Sequence, residues 1–163
     1  MNLELTWRRV DFEVNIMDFG PIRIDHIGIA THQLDDTTGF WKLLGLKQHS
    51  EDETVLDQGV MTRFFSTSTL NEIGDVPAKI ELLEPTADET PIGRFLNRRG
   101  PGIQQLCFSV GNLTGLLEHL QRNGIRLIDE KPRLGAGGQM IAFVHPASTG
   151  GVLVELSQRR SDE

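Results

Sequence analysis

The chain has 163 residues, a length that suits one compact domain or two small modules sharing a core. Its formal net charge of −7 argues against a nucleic-acid-binding surface, which needs clustered lysines and arginines. No stretch reaches the roughly 18 apolar residues of a membrane helix, and the charged start of the chain is unlike a secretory signal. Its one cysteine, Cys107, fits a buried thiol in a reducing compartment. We therefore expect a cytoplasmic protein that binds neither nucleic acid nor membrane.

Residues 1–22 form an extension ahead of the first repeated element. Apolar and polar residues alternate through residues 1–14, which is the periodicity of a strand. We expect this extension to be strand-like, adding an edge strand or covering a subunit interface, with a mobile tail as the alternative. Because a sheet that curls around a cleft has edges that need cover, the same alternation predicts a homodimer.

A first unit, at about residues 23–86, has the pattern of a strand, a helix and three more strands. Residues 24–30 are strand-like, and residues 33–44 have the apolar spacing of a helix that Gly45 ends. Further strands are predicted near residues 46–50, 58–66 and 78–84, with a polar loop over 67–76. Thr90 and Pro91 then begin a short helix that joins this unit to the next.

The second unit, at about residues 102–157, repeats the same order. A strand over 103–110 precedes a helix that Asn112 caps and Gly124 ends. Short strands are predicted near residues 125–128, 139–144 and 151–157, followed by a polar tail at 158–163. The sequence thus predicts an α+β fold of two tandem βαβββ units forming one domain over residues 23–157.

Four polar residues occupy matching places in this degenerate repeat. His26 and Glu81 lie 55 residues apart in the first unit, and Gln105 and Glu155 lie 50 apart in the second. A duplicated unit that contributes two ligands per copy can place four ligands around one pseudo-twofold axis. Unpaired carboxylates in apolar strands are expensive to bury, so metal ligation explains both glutamates, an outward solvent-facing position being the alternative.

Five strings of the chain stand out: DHIGIA at 25–30, DQGV at 57–60, KIELLEP at 79–85, AFVHP at 142–146 and GGVLVEL at 150–156. In sequence and order they resemble strings of methylmalonyl-CoA epimerases, within the vicinal oxygen chelate superfamily. The resemblance implies two units paired into a curved mixed sheet around a metal cleft. It also implies a small-molecule substrate, possibly a coenzyme A thioester.

The resemblance assigns roles to individual residues. Metal ligation is implied for His26, Glu81, Gln105 and Glu155, where Gln105 matches a position that is usually histidine. Asp57 and Glu155 match the two bases that remove and return a proton on opposite faces of the substrate. One imidazole with oxygen donors suits Co²⁺, Ni²⁺, Mn²⁺ or Zn²⁺. Alternative interpretations are a turn residue for Asp57 and a hydrogen-bonded strand residue for Gln105.

Three functions remain open at the level of sequence. The leading one is a metal-dependent epimerase or isomerase that acts through an enolate. The second is a lyase like glyoxalase I, or another enolate-forming enzyme, because a set of one histidine, one glutamine and two glutamates is also the ligand composition of that enzyme family. The third is a non-catalytic binding dimer of the drug-resistance type. Retention of four candidate ligands argues against the third function.

Overall fold

The computed structural model describes residues 19–66 and 77–159. Within them the helices are α1 (Leu34–Leu43), α2 (Pro91–Arg99) and α3 (Leu113–Arg122). The strands of the first unit are β1 (Arg23–Ala30), β2 (Lys47–Gln48), β3 (Glu53–Val55), β4 (Val60–Ser66) and β5 (Lys79–Pro85). The strands of the second unit are β6 (Gly102–Ser109), β7 (Arg133–Leu134), β8 (Met140–Val144) and β9 (Leu153–Gln158). None of these helices is long and apolar enough to cross a membrane.

The strands form one mixed sheet that curls into a half-barrel, in the order β2-β4-β5-β1-β6-β9-β8-β7, with β3 paired to β4. Strand β1 runs parallel to β5, and β6 runs parallel to β9 in the same way. The two units meet where β1 and β6 pair in antiparallel fashion at the centre of the sheet. This arrangement confirms the predicted fold, because the first and last strands of each unit become the four central strands.

Each helix begins at a polar group that satisfies free backbone N–H groups. Thr90 caps α2 by accepting from the Gly93 amide at 3.1 Å, and Asn112 caps α3 by accepting from the Gly115 amide at 2.9 Å. Helix α1 has no side-chain cap at Gln33. Instead, the Glu84 carboxylate on β5 accepts from the amide of Leu34 at 2.7 Å. This contact ties the start of α1 to the sheet.

Apolar packing divides into three clusters that cover the sheet. Helix α3 packs on β8 and β9 through Leu113, Leu116 and Leu117. Leu34 of α1 packs on Phe65 and Leu82, and α2 packs around Ile92 and Leu96. The helix predicted over residues 33–44 ends at Leu43, and Leu44 beyond that end is exposed.

Three short stretches differ from the sequence prediction. Residues 125–128 do not form a strand; Leu127 makes only an isolated bridge to Val144. β8 pairs with β7 as well as with β9, and neither β7 nor β3 was predicted. Runs of two or three residues are held by their partner strands rather than by their own periodicity, which explains why the pattern misses them.

Some predictions fall on residues outside the described ranges. They are the strand-like extension before residue 19, the polar loop over 67–76 and the end of the tail after residue 159. The predicted homodimer depends on residues 1–14 and stays a prediction. Strand β9 continues through Gln158, whose side chain accepts from the amide of Leu113 at 2.6 Å, so the first position of the predicted tail lies within the sheet.

Candidate active site

The four residues predicted as ligands converge at the centre of the sheet. His26 lies on β1, Glu81 on β5, Gln105 on β6 and Glu155 on β9, and all four are buried. Strand register explains the convergence: Gly28 of β1 is the partner of both Glu81 and Gln105 in the adjacent strands. On the other side, Glu155 of β9 pairs with Cys107 of β6, which in turn pairs with His26.

Short distances join the polar atoms of this cluster. His26 Nε2 lies 3.1 Å from Glu81 Oε2 and 3.4 Å from Glu155 Oε2. Gln105 Nε2 donates to Glu155 Oε2 at 2.6 Å and to Glu81 Oε2 at 3.4 Å. The His26 nitrogen and one carboxylate oxygen each from Glu81 and Glu155 therefore lie close enough together to bind one metal ion.

The buried Nε2 atom of His26 is the best test of whether a metal fits. Despite the nearby carboxylates, this nitrogen has no partner with hydrogen-bond geometry in residues 19–66 and 77–159. A buried polar atom without a partner is costly, and imidazole with carboxylate and amide oxygens is a donor set for divalent ions. Gln105 fits this set if its terminal amide turns to present oxygen instead of nitrogen.

Burial and charge shift the pKa values of the cluster. Burial alone would lower the pKa of His26, but the Glu81 carboxylate and the hydrogen bond to Asp25 raise it well above the ordinary value. Burial raises the pKa of Glu81, and the nearby Glu155 charge adds to the increase, while His26 opposes it. A proton is therefore held tightly among these residues in the absence of another cation.

Two residues beside the cluster were not predicted as part of the site. Asp25 Oδ2 lies 2.8 Å from His26 Nδ1 and 3.0 Å from Lys79 Nζ. Although burial opposes ionisation, the bonds to His26 and Lys79 keep the pKa of Asp25 below its usual range. Asp25 and His26 are adjacent in sequence, and regular strand alternation places neighbouring side chains on opposite faces. Sequence reasoning therefore had no basis for bringing Asp25 inward.

Asp57, the other predicted base, lies at the edge of a neighbouring cavity. Its Oδ2 atom forms an ion pair with Arg133 Nη1 at 3.0 Å, and its side chain is 57% exposed. Arg133 also contacts Asp129 at 3.2 Å and lies over the ring of Phe143. The Asp57–Arg133 pair joins the turn before β4 to β7, and therefore links the two units.

Two cavities border the cluster. The larger, of about 620 Å³, is lined by all four predicted ligands and carries acidic groups such as Glu51 and Asp52. The smaller, of about 200 Å³, has mostly apolar walls and is lined by Asp57, Gln105 and Arg133. Gln58, Leu83 and Gln105 line both cavities, so the cavity at Asp57 adjoins the one that holds the ligand cluster.

Cys107 confirms the prediction of a buried core thiol. The residue is fully buried, and burial raises the pKa of its thiol to about 11. Its sulfur lies near Asp25 and His26. Because only the thiolate is a strong nucleophile, a thiol with this pKa is not suited to nucleophilic attack at neutral pH.

Comparison with known proteins places these features in a family. The profile described as glyoxalase/bleomycin resistance protein/dioxygenase superfamily matches residues 25–143. The human mitochondrial methylmalonyl-CoA epimerase is 32% identical over 137 residues, covering 83% of this chain and 73% of the human protein. An uncharacterised Bacillus subtilis protein, YqjC, is 37% identical over 142 residues, covering 86% of this chain and 95% of that protein.

Solved structures give the same result. A methylmalonyl-CoA epimerase in complex with methylmalonyl-CoA and NH4+ superposes with a TM-score of 0.79 at 32% identity, covering 88% of this chain and 99% of that one. The methylmalonyl-CoA epimerase of Mycobacterium tuberculosis superposes with a TM-score of 0.75 at 35% identity, covering 84% and 87%. These likenesses support an epimerase-like function.

Proposed function

Because this chain belongs to the glyoxalase/bleomycin resistance protein/dioxygenase superfamily, we propose that it is a metal-dependent epimerase of a 2-substituted acyl thioester such as methylmalonyl-CoA. The observation that carries this proposal is the convergence of His26, Glu81, Gln105 and Glu155 from four central strands. The epimerase names of several relatives support the choice of reaction within the superfamily.

The four converging residues would hold a divalent metal, which we take to be Co²⁺, Ni²⁺, Mn²⁺ or Zn²⁺. His26 would bind through Nε2, and the other three through side-chain oxygens. Bound there, such an ion would supply Lewis-acid stabilisation of the negative charge that develops on substrate oxygen when the C2 proton leaves. The buried Nε2 atom of His26, close to two carboxylates but without a partner of hydrogen-bond geometry among the described residues, supports this assignment.

Epimerisation needs two groups that handle a proton, one on each face of C2. Glu155 is one candidate, since its carboxylate lies within the cluster. Asp57 is the other, because it lines the smaller cavity with Gln105, whose side chain bonds Glu155. One carboxylate would remove the C2 proton, and the other would return a proton to the opposite face. Asp57 would first have to exchange its ion pair with Arg133 for contact with the substrate.

The smaller cavity supports a substrate with an apolar 2-substituent. Its walls include Leu83, Ile92 and Phe143, and Arg133 adds a cationic group at the same cavity. An apolar wall favours burial of an alkyl group, while a guanidinium favours a carboxylate or another anion. This combination fits a 2-alkyl malonyl thioester better than it fits an uncharged ketone.

The test follows the C2 proton of methylmalonyl-CoA in heavy water with metal-loaded protein. We expect deuterium uptake at C2 and interconversion of the two epimers. Asp57→Asn should abolish interconversion yet retain exchange from one epimer, because Glu155 can still remove and return a proton on its own face. Asp129→Asn is the matched control, since it removes the other carboxylate on Arg133 and should preserve interconversion.

Three outcomes would contradict the proposal in different ways. Unchanged epimerisation by Asp57→Asn would exclude Asp57 as a base. Lack of exchange by the metal-loaded parent would favour the lyase reaction of the glyoxalase I type, which should then be assayed with hemithioacetals. Failure to retain metal would favour a non-catalytic binding protein.

A further inference from the structure

We propose that Asp25 is a positioning residue that fixes the ring of His26 for metal binding, and that Lys79 holds Asp25 in place. This inference rests on the metal site of the proposed function. It concerns side chains that do not themselves belong to the four-residue cluster. Three independent features of the structure support it: an irregularity in β1, a shared carboxylate oxygen and an aromatic contact.

The irregularity in β1 brings Asp25 to the buried side of the sheet. Ile24 pairs with Phe108 of β6, whereas His26 pairs with the preceding residue of β6, Cys107, so Asp25 is an extra residue in the ladder. Such a bulge interrupts the alternation of side chains between the two faces. Asp25 and His26 are consequently adjacent in sequence and both buried, at 8% and 6% exposure.

The carboxylate of Asp25 determines which ring nitrogen of His26 faces the cluster. Its Oδ2 atom accepts from Nδ1 at 2.8 Å, and the opposite nitrogen, Nε2, lies 3.1 Å from Glu81. When the proton of the neutral ring is on Nδ1, the free lone pair is on Nε2, and this tautomer can bind a metal through Nε2. The hydrogen bond also fixes the angle of the ring and increases its basicity as a ligand.

Lys79 fixes the carboxylate in turn. Its ammonium lies 3.0 Å from the same Oδ2 atom, and β1–β5 pairing places Lys79 directly beside His26. The Lys79 Nζ atom is also 5.3 Å from the centre of the Phe64 ring, which meets the His26 ring edge-on at 5.4 Å. Asp25 and Phe64 therefore each contact both Lys79 and the His26 ring.

A purely electrostatic role for this group makes a different prediction from a positioning role. If Lys79 acted only through its charge, its removal would make the site more negative and strengthen the binding of a divalent cation. If Lys79 instead keeps Asp25 bonded to His26, its removal should weaken metal binding. The sign of the effect of Lys79→Met therefore separates the two explanations.

The experiment measures Zn²⁺ affinity by chelator competition for the parent and four variants. We expect Asp25→Ala to weaken binding by about 10- to 100-fold, the usual effect of losing a partner of a ligating histidine. Asp25→Asn should be less severe, because its amide oxygen can still accept from Nδ1. Lys79→Met should also weaken binding. Glu84→Gln is the control, as it removes a carboxylate that caps α1 and should leave affinity unchanged.

The absorption spectrum of bound Co²⁺ provides a second readout that does not depend on activity. A changed spectrum in Asp25→Asn at full occupancy would show that the ligand ring has moved. The proposal is overturned if folded Asp25 variants bind Zn²⁺ as the parent does, or if Lys79→Met binds it more tightly. If Asp25→Ala does not fold, Asp25→Asn and Lys79→Met decide the question. Failure of the parent to bind either ion would overturn the proposed metal site and this inference with it, whereas lack of epimerisation alone would not affect the inference.

Discussion

Gly28 and Gln105 face each other across the central β1–β6 pair, and a Cβ atom on Gly28 would lie 2.6 Å from Gln105 Cγ. The same Cβ would lie 3.0 Å from Leu83 Cδ1. The small residue at this position therefore makes the space that the Gln105 side chain occupies. Because Gln105 contacts both glutamates of the cluster, the shape of the site depends on this glycine.

Gly28→Ala should displace Gln105 and disturb the cluster. We expect a loss of roughly 1–3 kcal/mol in the free energy of unfolding, as is usual for overpacking, together with weaker metal binding. Gly39→Ala is the matched control, because nothing lies within 4 Å of the added Cβ on α1. That variant should gain about 0.5–1 kcal/mol from helix propensity. Equal stabilities of the two variants by chemical denaturation would contradict the prediction.

Gln105→His should tighten the binding of Zn²⁺ or Co²⁺. Imidazole is a better donor than an amide oxygen for these ions, and Gln105 lies against both Glu81 and Glu155. Competition with a coloured chelator would measure the change. An unchanged affinity would place Gln105 outside the coordination sphere.

Metal affinity should increase with pH. The raised pKa of His26 means that, in protein stripped of metal, its ring holds a proton at neutral pH that the metal must displace. Each proton released makes the affinity rise by about tenfold per pH unit as long as the pH stays below the pKa. Glu81, whose pKa is also raised, adds to this dependence when it is protonated. Calorimetric titrations between about pH 6 and pH 8 would test it. Equal affinities across this range would contradict the prediction.

Removal of metal should lower thermal stability. The Glu81 and Glu155 carboxylates both approach His26 Nε2 in a buried site, where charge is costly without a compensating partner. A metal present at about 100 times its Kd would stabilise the folded state by about 2.7 kcal/mol. Thermal denaturation with and without a chelator would measure this difference. Glu81→Gln should reduce the stabilisation, whereas Glu84→Gln should retain it.

The fold and the four-residue cluster could be predicted because the sequence repeat shows both the order of the elements and the matching positions of the four polar residues. Equivalent strands of the two units carry equivalent side chains, so spacing alone brings His26, Glu81, Gln105 and Glu155 to the same axis. The starts of α2 and α3 were also predictable, since Thr90 and Asn112 cap them locally. The start of α1 was harder to predict, because its capping carboxylate, Glu84, lies 50 residues away in sequence.

The sequence by itself determined the two units, the strands that carry the candidate ligands and the buried character of Cys107. These features depend on periodicity and local hydrogen bonds, which neighbouring residues encode. Only the tertiary structure decided that a bulge turns Asp25 inward beside His26 and that Lys79 reaches it from β5. It likewise decided that Asp57 pairs with Arg133, 76 residues away. Such contacts depend on the register between distant strands, and a one-residue change of register is enough to move a side chain to the other face of the sheet.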